Sequence, residues 1–349
     1  MSESPSAPEP AKAHQRRPRY RGKNPRRFED KYKEHDPARH TETIAHVLAT
    51  GKTPAGTHRP IMVAEVLRVL APQPGEVAVD CTLGYGGHAQ AILPHLLPGG
   101  RLLGLDADPL ELPKTEARLR ALGFGADVLA LRRTNFAGLA QALAAENIPG
   151  ADLILADLGV SSMQLDDPRR GFSFKHEGAL DLRMNPERGQ PAATLLSKIA
   201  PAALAQLLVE NADEPHASAL AQALAGVKFE STTALAAAVR RELPHAKADE
   251  RELSVRRLFQ ALRIAINDEF ASLEALLRVL PLCLNRGGRV AILTFHSGED
   301  RRVKKAFATG LRDGIYSGVA AEVIRPGPEE RRANPRSVSA KLRWARRAA

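Results

Sequence analysis

The sequence predicts an α/β fold: a Rossmann-like parallel sheet with an inserted α-helical domain. Three observations predict it. Short apolar runs alternate with helical stretches, the first run ends in a glycine-rich turn, and more than 100 residues separate the fourth run from the fifth. Runs at residues 77–79, 102–105, 128–131, 153–155 and 290–295 are bounded by Gly, Asp or charged turns, the pattern of strands buried on both faces. Helices are expected between the first four. Residues 137–146 carry Leu139, Ala142 and Leu143 on one stripe before the Pro149-Gly150 break. Residues 321–324 and 339–344 are expected to complete the sheet as a terminal hairpin around the Pro-, Gly- and Asn-rich loop 325–338.

The long interval exceeds any ordinary crossover and reads as an insertion. From Pro191 onward it is Ala/Leu-rich and punctuated as helices are: Pro201 opens 202–211, Gly226 stops a helix, and Ser231 caps 234–243. One long helix is expected from about Arg251 to Leu280, stopped by Pro281, with Val255, Leu258, Leu262, Ile266, Phe270, Leu273 and Leu277 as its apolar stripe. Arg256, Gln260, Arg263 and Asn267 line another face, two guanidinium groups and two amides suited to RNA phosphates and bases. The expected organisation is a basic disordered arm (1–55), a catalytic domain in two parts (56–165 and 276–349), and a helical substrate-recognition insertion (166–275).

Composition bounds the function. The 349 residues, 44% hydrophobic, can fill two cores. Cys81 and Cys283 lie far apart in apolar runs, which excludes a disulfide framework or a metal quartet and fits a reducing cytoplasm; no metal is expected. No run is apolar enough to span a bilayer, and the polar N-terminus lacks a secretory h-region. The net charge of +10 is terminal: residues 1–55 hold 12 Lys/Arg against 7 Asp/Glu, and residues 325–349 hold 8 against 2. The first segment, rich in Arg, Pro and Gly with Tyr20 among the arginines, suits RNA phosphates and base stacking.

The chemistry gathers at Asp80-Cys81-Thr82-Leu83-Gly84-Tyr85-Gly86-Gly87-His88. Glycines there admit positive φ and let backbone N–H groups approach a ligand. Asp106 ends the next apolar run about twenty residues on, the distance at which an acid reaches ribose hydroxyls. Gly84-x-Gly86-x-x-Ala89 also fits the dinucleotide fingerprint, so a nicotinamide enzyme stays open. Asp80 would repel a pyrophosphate, however, and suits a cationic ligand, which favours S-adenosylmethionine. The segment 157–174 leaves the fourth strand's carboxyl end and is expected to line the same pocket.

These motifs together resemble the ribosomal RNA small-subunit methyltransferase H family. The resemblance runs from about His58 to Arg346 and rests on His58-Arg59-Pro60-Ile61-Met62, 80–88, 157–174 with Leu180-Asp181-Leu182-Arg183-Met184, Phe259-Gln260-Ala261-Leu262-Arg263-Ile264, Thr294-Phe295-His296-Ser297 and Asn334-Pro335-Arg336-Ser337. It implies a class I S-adenosylmethionine methyltransferase acting on the exocyclic N4 amine of a cytidine in small-subunit rRNA near the decoding centre. It implies cofactor contacts from Gly86, Gly87, His88, Asp106, Phe136, Asp157 and Gln164. Because the amine's lone pair is delocalised into the ring, a proton acceptor is needed, and Asp157, Ser161 and His296 are the candidates in that order. The chain departs from the family at Gly298, where Leu is common and a glycine is expected to loosen a loop, and at Leu258, where Thr is usual. A non-catalytic RNA-binding assembly factor on the same fold is the alternative.

Overall fold

The computed structural model describes residues 60–349; the arm expected over 1–55 lies outside them. Seven strands form one sheet: β1 (Val77–Asp80), β2 (Arg101–Asp106), β3 (Leu129–Arg133), β4 (Ala151–Asp157), β5 (Leu284–Thr294), β6 (Tyr316–Val319) and β7 (Lys341–Arg347), in the order β3-β2-β1-β4-β5-β7-β6. Strands β1 to β5 are parallel, and β7 lies antiparallel between β5 and β6. Helices α1 (Val63–Leu70), α2 (Gly87–Leu96), α3 (Leu112–Ala121) and α4 (Leu139–Ala145) accompany the first four strands. The insertion carries α5 (Ser162–Asp166), α6 (Ala192–Lys198), α7 (Pro201–Ala212), α8 (Ala217–Leu224), α9 (Thr232–Glu242) and α10 (Ala248–Ile266). Then α11 (Glu269–Cys283) returns to the sheet, with α12 (Ser297–Arg312) and α13 (Pro328–Ala333) following.

Successive strand residues point to opposite faces, and here both faces are covered. Val79, Ile154, Ala156, Val290 and Ile292 pack with α4, α11 and α12. Their neighbours Ala78, Leu153, Leu155, Ala291 and Leu293 pack with α1, α2 and α3. This explains why the strands read as continuous apolar runs. The insertion has a third core of its own, built on Leu196, Leu204, Leu208, Leu220, Leu235, Val239, Val255, Leu258 and Leu262. Ser231 caps α9 by accepting from Ala234 N–H at 3.2 Å, as its position predicts.

Some expectations need correction. The single helix from Arg251 to Leu280 is two helices: Asn267 ends α10, Asp268 takes a left-handed φ of 49°, and α11 starts afresh and carries Pro281 inside its last turn. Leucines at helical spacing on both sides hid the break. Because Leu273, Leu276 and Leu280 belong to the sheet's core, a boundary at residue 275 cuts through α11. The hairpin strand is Tyr316–Val319, and residues 321–324 contribute only a bridge from Ile324 to Leu342; the ring of Tyr316 packs edge-on against Phe307 and anchors the earlier segment. Gly298 does not loosen a loop. It is buried in the first turn of α12, where a Cβ would stand 2.6 Å from Phe270 Cζ.

Candidate active site

Three neighbouring strands end on acids: Asp80 closes β1, Asp106 closes β2 and Asp157 closes β4. The strand order reverses at β1, so these carboxylates stand where open α/β sheets bind ligands. Around them lies a cavity of about 1010 Å³. That volume is at the upper end of ordinary small-molecule sites, roughly 300–1,000 Å³, and accommodates a cofactor with part of a second molecule.

The turn after β1 is shaped by its glycines and tied to the flanking strands. Gly86 has a φ of 74°, and a Cβ there would press on Thr115 Cγ2 at 3.0 Å; Gly87 leaves no room for a side chain against Pro60. Gly84 N–H donates to Asp106 Oδ2 at 2.6 Å, and Thr82 Oγ1 accepts from Asp157 N–H at 2.6 Å. Burial pushes the Asp106 carboxyl up to about 6 against the pull of the Asp108 and Gly84 N–H groups. Burial also pushes Asp80 up to about 6, opposed by His88 and the Thr82 N–H. His88 and Asp157 meet with Nε2 and Oδ2 3.5 Å apart. Asp157 Oδ1 and both His88 ring nitrogens are buried with no hydrogen-bond partner among the described residues.

Of the expected cofactor residues, Gly87, His88, Asp106, Phe136, Asp157 and Gln164 line the cavity, and Gly86 sets the turn behind it. Ser161 also lines it, and caps α5 in a reciprocal box: its Oγ accepts from Gln164 N–H while Gln164 Oε1 accepts from Ser161 N–H at 2.9 Å. Sequence reasoning missed the residues that hold this wall. Asp108, 1% exposed, accepts from Gln164 Nε2 and from Arg170 Nη1, both at 2.7 Å. Arg170 Nη2 then donates to Met184 O at 2.8 Å. The signal was a second acid two residues after Asp106 and an arginine inside the dense 157–174 segment.

His296, expected as a proton acceptor, is absent from the cavity lining. Its Nδ1 accepts from Glu299 N–H as the cap of α12, which leaves the ring proton on Nε2, 3.2 Å from Glu299 Oε1. Glu269, His296 and Glu299 bring ligand-type atoms within 4.8 Å of one another, yet Arg263 already supplies the cation, donating to both Glu269 oxygens at 2.8 and 2.9 Å. Glu299 is held below the usual carboxylate range: burial opposes its charge, and His296, Arg263 and the Phe295 N–H outweigh that.

The polar line on α10 is likewise largely committed within the fold. Arg263 belongs to that buried pair, Gln260 donates to Asn211 O at 3.1 Å, and Asn267 clamps Leu182 O and Met184 N–H at 2.8 and 2.7 Å. Arg256 remains exposed on the cavity rim, together with Arg133 and Arg188. Arg133 pairs with Glu187 at 3.0 Å.

The family model of the MraW methylase family matches residues 55–348. This chain belongs to that family. It is a methyltransferase with S-adenosylmethionine as its cofactor, on the class I α/β sheet described above. Over 340 residues it is 47% identical to "Ribosomal RNA small subunit methyltransferase H 2" of Alkaliphilus metalliredigens, covering 95% of this chain and 97% of that one. It is 46% identical over 341 residues to "Ribosomal RNA small subunit methyltransferase H 1" of Lachnoclostridium phytofermentans, covering 95% and 93%. It is 39% identical over 292 residues to "Ribosomal RNA small subunit methyltransferase H" of Acidobacterium capsulatum, covering 82% and 97%. The residues present fit the cofactor, since a cationic ligand answers three strand-end acids, of which Asp157 has one buried oxygen, Oδ1, with no hydrogen-bond partner among the described residues.

Proposed function

We propose that this methyltransferase methylates the exocyclic N4 amine of a cytidine in small-subunit rRNA near the decoding centre. The names of its relatives supply the substrate class, and the cavity supplies the chemistry. Bound there, S-adenosylmethionine supplies a methyl group on a sulfonium. Gly87 and His88 would hold it from the turn, Asp106 would offer its carboxylate to the ribose, Phe136 and Asp157 would border the adenine side, and Gln164 would complete the pocket. The observation that carries the amine reading is Asp157 at the end of β4, a carboxylate in the cavity wall able to accept a proton. Methylation of a pyrimidine ring carbon calls instead for a thiolate nucleophile. Cys81 lines the cavity, but burial, with Asp80 beside it, pushes its thiol well above its usual range. It is therefore a poor nucleophile.

The rim fits an RNA strand entering the cavity. Arg256 and Arg188 are exposed there and enter no ion pair among the described residues. Arg133 becomes available if a phosphate displaces Glu187, an exposed pair of little intrinsic strength.

Mass spectrometry of nucleosides from small-subunit rRNA, made with and without this protein, tests the proposal. N4-methylcytidine should be present only with it. Equal amounts in both samples, or the ring-carbon isomer as product, overturn it. Labelled methyl transfer to naked rRNA against assembled subunits then decides which form is the substrate.

A further inference from the structure

His88 is 6% exposed, lines the cavity, and among the described residues has no hydrogen-bond partner at either ring nitrogen. Acids face it from three elements: Asp157 on β4 with Oδ2 3.5 Å from Nε2, Asp80 on β1, and Glu330 on α13. Glu330 is itself steered by Met62, whose N–H donates to Oε1 at 2.8 Å. Burial opposes a charged imidazole, but the three carboxylates outweigh it and hold His88 above the ordinary histidine range. The cofactor carries a sulfonium and an ammonium against one carboxylate, so it brings a net positive charge to the same acids. Two cations then compete for one set of carboxylates.

We propose that His88 is the charge-balancing and positioning residue of this site: its imidazolium answers Asp80 and Asp157 before the cofactor binds, and it gives up its proton when the cationic cofactor supplies that charge. The inference rests on reading the cavity as the S-adenosylmethionine site. A neutral Nε2 then stands beside Asp157 Oδ2. During transfer the amine nitrogen bonds to the methyl carbon, the S–C electron pair stays on sulfur, and the N–H proton passes to Asp157 Oδ2, where His88 Nε2 can share it. The positive charge lost from sulfur thus returns to the imidazole. Binding and chemistry become linked through one proton.

Calorimetry of the full chain with S-adenosylmethionine, in phosphate and in Tris at the same pH, reads that proton as a buffer-dependent enthalpy. The parent should release protons on binding, and His88→Gln should lose the release. S-adenosylhomocysteine, whose sulfur is neutral, should release fewer than S-adenosylmethionine. Equal release by parent and variant, or none by the parent, overturns the proposal. No binding of S-adenosylmethionine to the parent would instead sink the cofactor reading itself. A second measurement covers a His88→Gln protein that binds poorly: NMR titration of the His88 ring in the cofactor-free parent and in Asp157→Asn. The ring should titrate above an ordinary histidine in the parent and lower in the variant. Unchanged titration in Asp157→Asn, or ordinary titration in the parent, also overturns it.

Discussion

Asp80 shows how a ligand site is kept at the expense of stability. Its folded pKa of about 6 lies above the ordinary carboxylate value of 3.8, so protonation favours the fold. That stability is fully present below about 3.8 and is lost as pH rises through 6. Asp80→Asn should therefore stabilise the cofactor-free protein by roughly 2–3 kcal/mol at pH 8, less whatever His88 loses as a partner, and the gain should vanish near pH 4. Urea denaturation at the two pH values checks this; equal stability of parent and variant at pH 8 would show that the carboxylate is not strained. Gly298 illustrates a constraint of shape. With Phe270 Cζ 2.6 Å from where a Cβ would lie, and Arg302 stacked 3.5 Å over the same ring, Gly298→Leu should cost about 1–3 kcal/mol through overpacking. A melting temperature at or above the parent's would refute overpacking at this position.

Helices α10 and α11 mark how far the sequence could be read at the scale of elements. Every parallel strand and the insertion helices α7 and α9 were legible, because period and punctuation are local properties. The break at Asp268 was not, since a left-handed residue between two leucine-spaced helices leaves the apolar rhythm intact. The three strand-end acids were legible for the same local reason: each ends an apolar run. Partners were not legible. Nothing in the spacing of Arg256 and Arg263 reveals that one is exposed while the other meets Glu269, or that Asp108 meets Arg170 across the site. The two arginines should accordingly part company under mutation. Arg263→Gln leaves Glu269, 8% exposed, without its cation and should cost roughly 3 kcal/mol or more of stability. Arg256→Gln combined with Arg188→Gln should leave stability and cofactor affinity unchanged while lowering the log–log salt slope of RNA binding by about 1.5. Denaturation curves and salt-titrated binding separate these outcomes; the reverse pattern would place the RNA-binding role on Arg263.

Charge is distributed unevenly over the whole chain, and that distribution sets the last prediction. The net charge of +10 is carried by the two ends, with 12 Lys/Arg against 7 Asp/Glu in residues 1–55 and 8 against 2 in residues 325–349. Among the described residues, the sheet and the insertion bury their apolar surface in three cores. Among the described residues, the cavity lining starts at Pro60. Residues 1–55 are rich in Lys, Arg and Pro and poor in large apolar side chains, so removing them should leave the melting temperature and S-adenosylmethionine affinity as they are. RNA affinity should fall, because a phosphate that no basic side chain neutralises keeps its condensed counterion. The log–log dependence on salt should then flatten by about 0.7 for each single-strand phosphate that the segment would have neutralised. Titrations of the full and shortened chains with an rRNA fragment across a range of salt measure both quantities. An unchanged slope would mean that these arginines serve no phosphate and that RNA is held by residues 56–349 alone, whereas a lowered melting temperature would give the segment a structural role.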